Sequence, residues 1–201
     1  MAYSKFTLDL IESKFGITNQ VIHLFAQITP IEPSDWLKNS LQIAQELPIR
    51  SEKAKSESIV FPILVESRNR NNKYFTIYSG DNLLVDKSQG LEGECDFIIA
   101  KDTGSFNINY PIFQLLEAKK NDIELGVPQC AAQMIGAKIF NERKGILLEK
   151  VYGCVTTGND WLFMRLEEKL YIDKKMYSLD NISELLGIFQ YIIDYYKTTL
   201  K

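Results

Sequence analysis

Residues 93–133 constrain this chain more than any other stretch. The runs Phe97-Ile98-Ile99-Ala100 and Phe113-Gln114-Leu115-Leu116 have the length and apolar content of buried strands. Asp96 precedes the first, and Glu117-Ala118-Lys119 ends the second. Strand side chains alternate between faces, so Glu117 and Lys119 point the same way where a buried strand leaves the core. After a turn, Pro128 suits the first turn of a helix, where its missing N–H is harmless. Ala131, Ala132, Gly136 and Ala137 let that helix approach a sheet closely, while Gln129 and Gln133, four apart, share one of its faces.

A carboxylate beside a lysine at a strand end, with a second acid on the preceding strand, suits phosphodiester hydrolysis. Carboxylates bind hard divalent cations such as Mg²⁺ through oxygen. Such a cation polarises the phosphoryl oxygen and activates water, and a lysine can orient that water or offset transition-state charge.

The rest of the chain supplies a frame. Residues 4–28 hold a short strand or helix and a second amphipathic piece. Past the break at Pro30–Pro33, Ser34 or Asp35 caps a helix carrying Trp36, Leu37, Leu41, Ile43 and Ala44. Ser51 caps another, in which Pro62 forces a kink or an early end. Lys73–Ser79 and Asn82–Val85 alternate as strands, with Gly80-Asp81 as a bend or hairpin turn. Residues 145–157 give a further strand, and Gly158-Asn159-Asp160 turns it into Trp161–Leu166. Asp180 caps a terminal amphipathic helix whose aromatic and aliphatic stripe suits core or homodimer contact. Nothing resembling a linker or a repeat divides the chain, so a single domain over 1–201 is expected.

Other chemistries find little support. The only histidine, His23, lies far along the chain from the acidic motif, which leaves no multi-histidine metal site. Cys95, Cys130 and Cys154 form no Cys-x-x-Cys pair and read as small buried hydrophobes. A net charge of −3 gives no global attraction to nucleic acid. Arg50, Lys53, Lys55, Arg68, Arg70, Lys73, Lys138, Arg143 and Lys144 either line a groove or scatter over the surface. No apolar run approaches the roughly 20 residues of a membrane span, and the amino terminus lacks a secretory layout. The expected residence is cytoplasmic, without a membrane partner.

Asp96, the Glu117-Ala118-Lys119 tripeptide and the Gln129-Cys130-Ala131-Ala132-Gln133 helix, in that order, resemble the signature of the PD-(D/E)XK nuclease superfamily. The phrases around them look similar to uncharacterised cyanobacterial members. Cys95 stands where the motif's proline would be. The resemblance spans about residues 51–157. It implies an α/β fold with a restriction-endonuclease-like αβββαβ core, in which helices flank a mixed central sheet. Terminal helices and a C-terminal β-hairpin would be additions to that core. It further implies a Mg²⁺- or Mn²⁺-dependent deoxyribonuclease with Asp96 and Glu117 as metal ligands and Lys119 as catalytic lysine. Glu57, on the first core helix, would complete the acidic set, and Gln129 or Gln133 would position substrate or water. The alternative is the same fold kept as an inactive module that binds nucleic acid or a protein. A third reading has the acids as structural, with Lys119 neutralising Glu117.

Overall fold

In a computed structural model describing residues 2–200, helices cover both faces of an open mixed sheet that contains eight strands among those residues. The N-terminal segment forms a 3₁₀ turn (Tyr3–Lys5), α1 (Leu8–Phe15) and β1 (Asn19–Ile22). Next, α2 (Asp35–Glu46) starts at Ser34, whose Oγ accepts from the Leu37 N–H at 3.2 Å. Ser51 caps α3 (Glu52–Lys55) in the same way, accepting from Ala54 N–H at 3.0 Å. That helix passes through a π-helical segment (Ser56–Val60) into α4 (Phe61–Arg70). Pro62 explains the π-turn: it has no N–H to donate, and its ring would strike the carbonyl of Ser58 in a regular helix. The expected kink is thus absorbed by one widened turn.

The strands that follow are β2 (Phe75–Asn82), β3 (Glu94–Lys101) and β4 (Ile112–Ala118), each antiparallel to the next. Helix α5 (Val127–Arg143) then crosses to β5 (Val151–Thr156), which lies parallel to β4. β6 (Asp160–Leu166) and β7 (Leu170–Asp173) complete an antiparallel meander, β8 (Tyr177–Ser178) pairs with β6, and α6 (Ile182–Thr199) ends the chain. The strand order is β1-β7-β6-β5-β4-β3-β2, with β1 parallel to β7 at the far edge.

Some sequence expectations are corrected. Gly80-Asp81 is no hairpin turn: β2 runs through Gly80, which adopts φ +72°, and keeps its register with β3 on both sides. A glycine reads as a turn, yet here it tolerates a left-handed conformation within an edge strand. Residues 146–150 lie outside any strand, and β5 begins at Val151. The cap of α6 is Asn181, while Asp180 belongs to a preceding 3₁₀ turn.

β4 is buried along its whole length, as expected of a central strand covered on both faces. On one face Phe113 packs against Tyr196, and Trp161 and Phe163 pack edge-on against Phe189 of α6. The stripe of α6 is therefore core. On the other face α5 lies so close that a Cβ on Gly153 would collide with Met134 of the helix. Asn141, fully buried near the end of α5, accepts from the Ile112 N–H at 2.8 Å and donates to the Ile112 carbonyl at 2.6 Å. It substitutes for the neighbouring strand that β4 lacks at that point, since the β5 pairing begins at Gln114. Asn141→Ala should cost about 2 kcal/mol in urea unfolding by orphaning both backbone groups; a loss under about 0.5 kcal/mol would show that water replaces the amide.

Candidate active site

Asp96 and Glu117 meet because of register. Phe97 pairs with Leu116, so one step further along the ladder Asp96 stands beside Glu117 on the same face. A register shift between Ile99 and Ala100 precedes that stretch. Such a bulge re-aims the side chains downstream of it, and here Leu115 and Glu117 are turned toward α5. The Ala118 N–H donates to Asp96 Oδ2 at 2.7 Å and fixes that carboxylate.

Glu117 is the hub. Its side chain is 4% exposed and accepts three short hydrogen bonds. Lys119 Nζ donates to Oε1 at 2.7 Å, Gln129 Nε2 to Oε1 at 2.5 Å, and Gln133 Nε2 to Oε2 at 2.8 Å. Lys119 Nζ also donates to Gln129 Oε1 at 3.1 Å, while its backbone N–H holds the Thr156 carbonyl at 2.8 Å. Gly126, just before α5, lets the helix start this near: a Cβ there would lie 2.5 Å from Val155 and 3.1 Å from the Lys119 side chain. Five of the six residues singled out in the sequence, Asp96, Glu117, Lys119, Gln129 and Gln133, thus come together in one cluster.

Glu57 does not join them. It is 65% exposed and faces Lys53 at 3.9 Å across one helical turn. The acid that the first core helix does bring near is Glu52, whose Oε1 accepts from the Lys120 N–H at 2.9 Å and whose charge acts on Asp96. In the sequence Glu52 looks like an ordinary first-turn acid facing the helix dipole. Only the contact with Lys120 distinguishes it. Lys55, one turn on, donates to the Lys120 carbonyl at 2.5 Å, so both groups of one peptide are clamped.

Burial pushes the Asp96 carboxyl above its ordinary range, and Glu52 and Glu94 add repulsion, against the pull of Ala118 N–H and Lys119. Glu117 is raised to about 7, chiefly by burial and then by the Asp96 charge, with Lys119 and Gln133 opposing. Two carboxylates that resist ionising side by side suit a divalent cation, whose charge would offset both effects. A second observation agrees. Gln133 is fully buried, yet its Oε1 has no hydrogen-bond partner. Among the described residues no three His, Cys, Asp or Glu side chains stand together. The protein's share of a cation shell would thus be two carboxylates, within what Mg²⁺ requires.

Four of the nine basic groups named above are engaged elsewhere. Arg68 pairs with Asp102, Arg70 with Glu66, and Arg143 with Asp86, while Lys138 donates to the Glu167 carbonyl. Lys55 of α3 reaches the segment next to the cluster through the Lys120 carbonyl, while Lys53 faces Glu57. The three cysteines are buried and His23 is exposed. No helix among the described residues is long and apolar enough to cross a membrane. No family model matches this chain, and no curated protein matches it significantly.

Proposed function

We propose that this cluster is the active site of a divalent-metal-dependent nuclease of the PD-(D/E)XK type, hydrolysing phosphodiester bonds of DNA. The observation that carries the reading is the convergence of Asp96, Glu117 and Lys119, with both helix glutamines, at the ends of adjacent strands. The order of helix, three antiparallel strands, helix and parallel strand is compatible with the αβββαβ core. Mg²⁺ or Mn²⁺, held by Asp96 and Glu117, would supply phosphoryl polarisation and a more acidic water.

The residues then divide the work. Ala118 N–H and the strand ladder hold Asp96 in place, so little reorganisation is needed. Lys119 carries three donor hydrogens; Glu117 and Gln129 accept two, which leaves one for a phosphoryl oxygen or an attacking water. Gln129 both donates to Glu117 and accepts from Lys119, locking their spacing. Gln133 anchors the other carboxylate oxygen from the buried side.

Plasmid cleavage with Mg²⁺ or Mn²⁺ tests this. Asp96→Asn should lower the rate about 10²-fold or more, and Glu57→Ala should stay within about twofold of wild type, as expected for an exposed pair. Undiminished cleavage by Asp96→Asn would overturn the assignment. Absence of both metal binding and cleavage in the wild type would favour the non-catalytic binding module.

A further inference from the structure

A cavity of about 500 Å³ opens between the end of α2, the π-turn and the β5–β6 turn. Its volume lies within the roughly 300–1,000 Å³ of small-ligand sites. The floor is aliphatic, with Leu41, Ala44, Ile59 and Leu179, and the polar groups at its margin include the Gln45 and Asn159 amides and the Asp160 and Asp180 carboxylates. Lys55 also lines it, and its ammonium already holds the carbonyl of Lys120, the residue after the catalytic lysine. Gly158 of the β5–β6 turn packs on Lys55 and Ile59.

These features separate two kinds of ligand chemistry. Carboxylates repel phosphate and accept only from donors, such as the exocyclic amino groups of a base. Amides can read either kind of base edge, and an aliphatic floor suits a base's apolar face. Lys55 retains two donor hydrogens after bonding Lys120, the residue that follows Lys119 in the chain. We infer that this cleft receives one unpaired nucleotide adjoining the scissile phosphodiester, its base on the Leu41–Ile59–Leu179 floor and its phosphate on Lys55, which makes single-stranded DNA the substrate.

The inference rests on the nuclease reading and deepens it. A duplex base could enter only after unpairing and unstacking, so single strands should be cleaved about tenfold faster than the same sequence in duplex, or more. The test compares Mn²⁺-dependent hydrolysis of a single-stranded oligonucleotide, its duplex and bis(p-nitrophenyl) phosphate, which is too small to need the cleft. Ala44→Phe fills the floor, and Gln45→Ala alters only the exposed rim should the first variant fail to fold. The ratio of oligonucleotide to small-diester hydrolysis should fall about tenfold in Ala44→Phe and about threefold in Gln45→Ala, as for one lost base contact. Hydrolysis of the small diester with no preference for single strands, or ratios unmoved in both variants, would overturn the cleft while sparing the nuclease reading. Hydrolysis of none of the three by the wild type would overturn both.

Discussion

Replacing Glu117 with glutamine is expected to lower metal-dependent DNA cleavage by about 10²–10³-fold while leaving the protein folded. The substitution keeps the shape of the side chain and removes one of two metal-binding carboxylates. It also removes the buried group that most resists ionisation in the cluster, so no folding penalty is expected. Gln133 makes the exchange tolerable: its Oε1 has no partner, and a flipped amide would present that oxygen to the new Nε2. Lys119 and Gln129 can still donate to the remaining oxygen. Cleavage assays and circular dichroism on one preparation separate the outcomes. A folded variant that cleaves at the wild-type rate would remove Glu117 from the chemistry.

The same carboxylate should make the metal-free protein less stable as pH rises toward neutrality. Glu117 titrates near 7 in the folded chain against an ordinary 4.5. Between those values the folded state keeps a proton that the unfolded state has lost, so unfolding releases it. Stability from this group is fully present below about pH 4.5 and is lost as pH rises through 7. The gap amounts to about 3 kcal/mol. Asp96, raised mainly by burial, acts in the same direction. Urea unfolding in chelator between pH 5 and 8 should show the decline, Glu117→Gln should flatten most of it, and excess Mg²⁺ should oppose it by binding the folded state. A wild-type curve that rises over this range would contradict the buried, proton-retaining carboxylate.

Much of this site was legible because it is built from short-range pattern. Two apolar runs with acids at their ends give two strands, and alternation gives the shared direction of Glu117 and Lys119. Helical spacing puts Gln129 and Gln133 on one face, and both do reach Glu117. What pattern could not supply was register and tertiary contact. The bulge between Ile99 and Ala100 that aims Glu117 at α5 has no local signature. Glu57 and Glu52 lie five residues apart on the same segment, and only the packing of α3 on Lys120 decides which of them approaches the cluster. β1 illustrates the same limit: four mostly exposed residues become a strand because β7, some 150 residues later, offers an edge. Gly80 misled for a different reason, because a residue that permits a turn does not oblige one.

The central claim is that Asp96 and Glu117 together hold a divalent cation beside Lys119, and calorimetric titration of the wild type and Glu117→Gln with Mn²⁺ tests it most directly. At pH 6.5 the wild type should bind one ion and release about one proton, seen as a dependence of the heat on buffer ionisation, because Glu117 must deprotonate to ligate. Glu117→Gln should lose both the binding and the proton. Wild-type protein that takes up no ion, or a variant that binds as tightly as wild type, would contradict the account.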